Sequence, residues 1–192
     1  MAKETWRAGN MLYPLPAVLV TTRNREGRDN VCTVAWAGTV CSDPAMVSIS
    51  LRPSRLSYEY LTETGVFVIN LTTEALAAAT DFCGVRSGRD TDKFGAMNLT
   101  LTEAEKISCG CINESPVCIE CRVKETFALG THTMFLAEVL LVHAEKAYMD
   151  ENGRFDLMKA KPIVYSHGTY YGLGKQFGSF GSSVRKKRRR RQ

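Results

Sequence analysis

The sequence lacks any apolar run long enough to cross a bilayer. Its longest apolar segments, 17–20 and 135–142, fall far short of the roughly 20 residues that a spanning helix needs. It also lacks the apolar core of a signal peptide near its start, so we expect a cytoplasmic protein without membrane partners. With 192 residues, 44% hydrophobic and 23% charged, the chain can bury a real core, which excludes a disordered chain and a disulfide-stapled miniprotein.

Short motifs of several enzyme classes are missing as well. The sequence contains no G-x-S-x-G, H-E-x-x-H or G-x-x-x-x-G-K-[ST] pattern. The glycines of 172–178 have one residue too many between them for a G-x-G-x-x-G dinucleotide motif. The three histidines, His132, His143 and His167, are too scattered to predict a metal site by spacing. If the protein is an enzyme, we therefore expect its reactive group to come from a cofactor.

Positive charge is concentrated at one end of the chain. The formal net charge is +5, from 25 Lys and Arg against 20 Asp and Glu, but seven of the positive charges lie in 185–191. Residues 1–184 alone carry a net charge of −2. We predict one domain over 1–183 and a disordered basic tail over 184–192. Because the tail has no interleaved aromatic residues, it predicts weak polyanion binding and no specific nucleic-acid recognition.

The seven cysteines are an odd number, which in a reducing compartment favours free thiols over disulfides. Four of them, Cys109, Cys111, Cys118 and Cys121, lie close enough in the chain for a zinc or iron–sulfur site. Against this, 117–124 alternates like a strand, which directs Cys118 and Cys121 to opposite faces. A shared metal ion would then require a bulge, so we predict that the protein has no metal site.

Strand patterns dominate the chain. Segments 17–23 and 30–37 flank a polar, glycine-containing connection and predict a hairpin. Segments 117–128 and 133–148 predict a second, longer hairpin. Further strands are predicted at 45–51, 66–71 and 98–102.

Helices are few and short. We predict one at 55–64, with Ser54 as its N-cap and Gly65 at its end. A second is predicted at 74–83 between Thr73 and Gly84, and a short helical turn at 91–94. Many strands with two or three short helices indicate a closed or partly closed β-barrel, since alternating βαβ units are absent from the pattern.

The start of the first predicted helix is a candidate anion site. The strand at 45–51 delivers Arg52, Ser54, Arg55 and Ser57 to the positive end of that helix. Arginine charge, hydroxyl groups and unpaired backbone N–H groups together suit a phosphate. The alternative is that Ser54 caps the helix while both arginines are solvated.

Two further segments have both an ordinary and a functional interpretation. Residues 33–38 place small side chains around Trp36, which would let a flat ring approach the backbone, although a buried strand with one core tryptophan explains the same pattern. Residues 87–94 form a charged loop that ends with Lys93 beside an aromatic residue. The ordinary interpretation of that loop is a solvated surface.

Taken together, these segments resemble the flavin reductase-like family, and within it the flavoredoxins. The resemblance extends over residues 11–183 and is most specific in the segment SDP followed by SLRPSRLSYEYL, and in SGRDTDKF at 87–94. It implies an FMN-binding split barrel, which is a Greek-key antiparallel barrel that pairs into a homodimer.

The resemblance also implies roles for individual residues. Arg52, Ser54 and Ser57 fall on positions that hold the FMN phosphate, and Lys93 falls on a lysine that reaches the flavin. His132 matches a histidine on the substrate side, in the sequence GTH where many reductases have GDH. The remaining cofactor-binding positions implied by the family are Thr33, Val34, Ala35, Trp36 and Cys41.

Two functions follow from this resemblance. The first is an FMN-dependent oxidoreductase that takes electrons from NAD(P)H or a redox protein and passes them to an acceptor. The second is a non-enzymatic FMN electron carrier between protein partners, with the basic tail as a separate polyanion-binding appendage. The sequence does not distinguish between them.

Overall fold

A seven-stranded antiparallel sheet forms the body of the protein in the computed structural model, which describes residues 1–184. The strands are β1 (Leu15–Pro16), β2 (Val18–Arg23), β3 (Asp29–Val34), β4 (Ala37–Ser42), β5 (Ala45–Leu51), β6 (Val66–Leu71), β7 (Leu101–Glu103), β8 (Gly110–Ile112), β9 (Val117–Ala128), β10 (Thr133–Ala144), β11 (Ile163–Ser166) and β12 (Thr169–Gly172). The large sheet has the order β3-β2-β6-β9-β10-β5-β4. Two small sheets, β1-β11-β12 and β7-β8, accompany it.

The first predicted hairpin is confirmed, with a shorter second strand. β2 pairs with β3 from Val18 opposite Val34 to Arg23 opposite Asp29. The predicted strand 30–37 was too long, because the chain leaves the sheet at 35–36 and starts β4 at Ala37. At this break the carbonyl of Trp36 accepts a hydrogen bond of 2.8 Å from the N–H of Ser50.

The long hairpin of β9 and β10 is confirmed as well. Its register shifts twice, between Leu136 and Ala137 and between Val139 and Leu141, so that the paired strands bend. The second strand ends at Ala144, and a 3-10 turn at Lys146–Tyr148 replaces the end of the predicted segment 133–148. The strand predicted at 98–102 is β7, shifted to Leu101–Glu103.

The first helix, α1 (Leu56–Thr64), ends as predicted at Gly65, whose left-handed backbone (φ 69°) lets its N–H donate to Leu61 at 2.8 Å. The predicted N-cap was wrong. Arg55 occupies the N-cap position and no side chain caps the helix, because Ser54 lies in a turn closed by the Arg55 N–H donating to the Arg52 carbonyl. The first turn of α1 therefore has no side-chain acceptor.

The second helix also differs from the prediction. A 3-10 turn at Glu74–Leu76 precedes α2 (Ala77–Val85), so the helix runs through Gly84 instead of stopping there. A Cβ at Gly84 would lie 3.3 Å from the Cβ of Thr33, so glycine allows α2 to pack closely on β3. The predicted turn at 91–94 is the start of α3 (Lys93–Met97), which Asp92 caps by accepting from the Gly95 N–H.

The main apolar core lies against the large sheet, and a second cluster joins β2 and β3 to α2 and α3. Leu19, Ile49 and Phe67 are fully buried in these clusters. Burial of each such side chain contributes about 1.5–3 kcal/mol to the free energy of unfolding. Within residues 1–184 none of the helices is both long and apolar enough to cross a membrane. Apart from Val184, the predicted basic tail lies outside the described residues.

Candidate functional site

A cleft opens where the chain passes from β3 to β4. One end is a cavity of about 450 Å³, lined by Thr33, Val34, Ala35 and Trp36 together with the strand end at Arg52. This end also includes aromatic and imidazole rings from other parts of the chain: His132, Tyr165 and Tyr170. The sequence predicted one continuous strand over 30–37. The structure interrupts this strand at 35–36, and these two residues form part of the cavity lining.

The other end is a cavity of about 240 Å³ with polar and cationic walls. It shares Cys32, Arg52 and Arg55 with the first cavity, so the two form one continuous cleft. Its remaining polar lining residues are Asn30, Ser54, Ser57, Arg86, Ser87 and Lys93, and Leu56 and Gly88 complete the lining. We refer to the two ends as the ring end and the phosphate end.

The start of α1 faces the phosphate end. Because no side chain caps this helix, its first N–H groups and the hydroxyl of Ser54 are available to a bound anion. Arg55 is held in place by the hydrogen bond that its Nη2 donates to the carbonyl of Gly84 at 2.7 Å. A phosphate fits this arrangement of helix N-terminus, hydroxyl and guanidinium groups.

Lys93 lies beneath the phosphate end and is almost fully buried, at 4% exposure. Its Nζ donates to the carbonyls of Val31 at 2.7 Å and Cys83 at 3.2 Å. These contacts hold two of the three ammonium N–H groups within the described residues. Burial lowers the pKa of Lys93, and an anion in the cleft would offset that effect. The charged loop at 87–94 is therefore more than a solvated surface.

Sequence reasoning missed Asn30, which anchors the phosphate end from below. Its Nδ2 donates to the Oγ of the fully buried Ser57 at 2.7 Å. A Cβ at Gly88 would lie 1.9 Å from Asn30 Oδ1, so only glycine lets the 87–88 loop close on this pair. The available signal was the position of this amide at the start of the segment 30–34, directly before Val31 and Cys32.

The ring end is more exposed. Trp36 is 37% exposed, and its ring lies nearly parallel to that of His132, with centroids 6.0 Å apart. Burial, followed by the nearby charge of Arg52, lowers the pKa of His132 below its usual 6.5. His132 is therefore neutral near pH 7. Its Nδ1 lies 2.9 Å from the hydroxyl of Thr131, which also lines the cleft.

Two expected site residues differ from the others: Cys41 lies outside the cleft, and the hydroxyl of Thr33 is already hydrogen-bonded within the protein. Cys41 lines neither cavity, and its Sγ donates to the carbonyl of Asp43 at 3.4 Å. Thr33 lines the ring end, but its hydroxyl donates to the carbonyl of Thr80. The cleft therefore contains ten of the eleven residues singled out from the sequence, Cys41 being the exception.

Residues 10–174 match the flavin reductase-like domain family. The chain belongs to this family. An uncharacterised protein of Archaeoglobus fulgidus is 30% identical over 177 residues, covering 92% of this chain and 94% of that protein. The structure is similar to flavoredoxin of Desulfovibrio vulgaris (Miyazaki F), with a TM-score of 0.89, 30% identity and coverage of 96% and 100% of the two chains. It is also similar to flavoredoxin from Methanosarcina acetivorans, with a TM-score of 0.85, 26% identity and coverage of 96% and 100% of the two chains.

Family membership confirms the mainly β split-barrel fold and agrees with the flavin cofactor expected from the sequence. The shape and chemistry of the cleft also suit FMN, independently of the family. A monophosphate suits the uncapped helix start, and a flat ring suits the open, small-residue floor at 33–36.

Proposed function

We propose that the protein is an FMN-dependent oxidoreductase that accepts electrons from NAD(P)H or a redox protein and passes them to a second acceptor. One observation supports this most strongly: the cleft joins a cationic, uncapped helix start to an open aromatic end. The first end suits retention of a phosphorylated cofactor. The second leaves room for a reaction partner beside the cofactor's ring.

At the phosphate end, the protein binds and orients. Arg52 and Arg55 supply positive charge, Ser54 and Ser57 supply hydroxyl groups, and Lys93 holds a buried charge below them. Ser57 is oriented by Asn30 before any ligand arrives, so binding requires little rearrangement of this side chain.

At the ring end, backbone and side chains position the reacting partner. FMN, when bound, supplies the electron-accepting isoalloxazine ring. Residues 33–36 line this cavity, and backbone N–H groups there would be the donors of hydrogen bonds to a heterocycle. The exposed Trp36 and the neutral His132 border the opening, where they can contact a nicotinamide ring without adding charge.

Two spectroscopic measurements test this proposal. Titration of the purified chain with FMN should give a stoichiometric complex with a perturbed visible spectrum. Anaerobic addition of NADH or NADPH to that complex should bleach it at a rate useful for catalysis. A chain that takes up no FMN would overturn both the cofactor assignment and the activity.

The second candidate is an electron carrier between proteins, which the similarity to flavoredoxins favours. This candidate predicts an FMN complex that neither nicotinamide nucleotide bleaches but that a reduced ferredoxin-type protein does. Parallel anaerobic reduction by NADH, NADPH and reduced ferredoxin separates the two candidates.

We also propose that the protein is a homodimer, as the family resemblance implies. The edge strand β4 supports this proposal because it has an unpaired side in the single chain and exposes Val40. Leu12, in the segment before β1, is 85% exposed as well. Sedimentation velocity should give twice the chain mass of 21.3 kDa, and a monomer at all concentrations would contradict the proposal.

The basic run at 185–191 lies outside the described residues, and its weak polyanion binding stays a prediction. Deletion of 184–192 should abolish retention on DNA at low salt and leave FMN content unchanged. A loss of FMN together with the tail would contradict the division into domain and appendage.

A further inference from the structure

A second group of ligand-type side chains lies away from the flavin cleft, on β8, β9 and β10. The Sγ of Cys111, a carboxylate oxygen of Glu120 and a ring nitrogen of His143 all lie within 4.8 Å of one another. Cys111 and His143 line a cavity of about 210 Å³ that shares no lining residue with either end of the flavin cleft.

The strand register explains why these residues meet. Cys118 and Glu120 alternate on β9 and therefore share one face. His143 lies directly opposite Cys118 in the β9–β10 ladder, next to the shift in register between Val139 and Leu141. Cys111, on β8, packs over the same face in an apolar cluster with Cys118. The four-cysteine site considered from the sequence does not form, because Cys121 lies in the main core.

Glu120 is held as metal-ligating carboxylates usually are. Its side chain is fully buried, and its two oxygens accept hydrogen bonds of 2.8 Å from the N–H groups of Glu105 and Lys106. Its Oε1 lies 2.6 Å from Nε2 of His143. The two backbone hydrogen bonds fix the orientation of the carboxylate. A metal ion would take the place of the proton that Glu120 and His143 share, and that proton would be released to solvent.

The donor set indicates which ion would bind. Sulfur, imidazole nitrogen and carboxylate oxygen together are typical of zinc, whereas magnesium and calcium prefer oxygen alone. In a tetrahedral site, two ligand atoms at about 2.0–2.3 Å from the ion lie about 3.3–3.8 Å apart. The 2.6 Å contact between Glu120 and His143 would have to open, and separations of up to 4.8 Å would have to close, each by about 1 Å or less, which side-chain rotation can supply. A Cys111 thiolate and the Glu120 carboxylate would together neutralise a divalent ion in this largely buried place.

We propose that Cys111, Glu120 and His143 form a zinc-binding site with a fourth coordination position open to the adjoining cavity. Three protein ligands leave one position of a tetrahedral zinc ion for water or a small ligand. Cys111, Cys118 and His143 line the cavity on this side, so such a ligand has room beside the ion. This site is independent of the proposed flavin chemistry.

The test uses the full chain loaded with FMN, stripped of metal by a chelator under reducing conditions. Titration with Zn²⁺ should give one tightly bound ion per chain and raise the melting temperature. Co²⁺ in place of Zn²⁺ should give a thiolate-to-metal band in the difference spectrum against the zinc form. Cys111→Ala and His143→Gln should each weaken zinc binding by at least about 100-fold, beyond the 10- to 100-fold typical of losing a group that only orients a ligand.

Cys109→Ala is the matched control, because Cys109 is a fully buried thiol two residues before Cys111 that is not among the proposed ligands. It should leave zinc stoichiometry and the cobalt band unchanged. The proposal is overturned if the wild-type chain binds no stoichiometric zinc, if Cys111→Ala binds it as tightly as wild type, or if the cobalt band is lost in Cys109→Ala. Recovery of Cys111 and Cys118 as a disulfide that excludes zinc would overturn it as well.

Discussion

The two ends of the flavin cleft are built on different principles. At the phosphate end, charged and polar groups are held by hydrogen bonds inside the protein. Lys93 donates to two backbone carbonyls, and the hydroxyl of Ser57 accepts from Asn30. At the ring end, Trp36 and His132 stack with each other at the surface and are partly exposed. The phosphate end is therefore preorganised to retain a ligand, while the ring end keeps an exposed aromatic surface.

The largest expected effect is the loss of FMN affinity when charge is removed from the phosphate end. Arg52→Ala should weaken FMN binding by about 10- to 100-fold, because a hydrogen bond to a charged group contributes about 1.5–3 kcal/mol. Riboflavin, which has no phosphate, should bind the variant and the wild type alike. Fluorescence titration with both flavins measures this, and Arg25→Ala, an exposed arginine of the β2–β3 turn, serves as the control. Equal losses for both flavins would contradict the assignment of the two ends.

A methyl group added beneath the phosphate end should have the next largest effect, on both stability and FMN affinity. Gly88→Ala places a methyl group against Asn30 Oδ1 and should lower the free energy of unfolding by about 1–3 kcal/mol. FMN affinity should fall with it, because Asn30 orients Ser57. Denaturant unfolding measures the stability change. Gly38→Ala, at a position where a Cβ meets open space, should change stability little.

A change at the ring end should separate binding from reaction. His132→Gln should slow anaerobic reduction by NAD(P)H about 10-fold through loss of positioning, while the dissociation constant for FMN stays within about threefold. Stopped-flow absorbance measures the first quantity and fluorescence titration the second. The control is His167→Gln, an exposed histidine on the β11–β12 turn. A variant that loses FMN and reduction in proportion would show that the two ends are not functionally distinct.

The smallest expected effect is a pH dependence confined to acid conditions. The folded-state pKa of His132 is lowered, so folding favours its neutral form. His132 therefore does not lower the free energy of unfolding above its ordinary pKa of about 6.5. As the pH falls below that value, it lowers the free energy of unfolding progressively. The imidazole of His132 is also mostly neutral throughout pH 6.5 to 8, so reduction by NAD(P)H should vary less than about threefold over that range. Wild type and His132→Gln should show different pH profiles only below that range.

Most strands of the fold are predictable from the sequence because alternation and β-branched residues determine them locally. The boundaries were less predictable where two elements contact each other. Gly84 resembles a helix stop, yet it is the place where α2 packs on Thr33. Ser54 resembles an N-cap, yet a turn closed at Arg52 moves the helix start one residue further.

The candidate site was predictable where its residues are adjacent in the chain, as at 33–36 and 52–57. Asn30, Tyr165 and Tyr170 were missed because their place in the cleft depends on strand pairing and on loops distant in sequence. The cysteine cluster shows the same limit. Strand parity correctly separated Cys118 from Cys121 and places Glu120 on the face of Cys118, but it does not reveal that His143 of β10 lies opposite Cys118.

The start of α1 should be less stable in the protein that has not yet bound its cofactor. A helix whose first N–H groups have no side-chain acceptor is completed by its ligand, so the phosphate takes the place of an N-cap residue. Cofactor loading then becomes part of folding: at a free FMN concentration 100 times the dissociation constant, binding adds about 2.7 kcal/mol to the free energy of unfolding. Chains made when flavin is scarce would fray at this helix first and be the preferred targets of proteolysis.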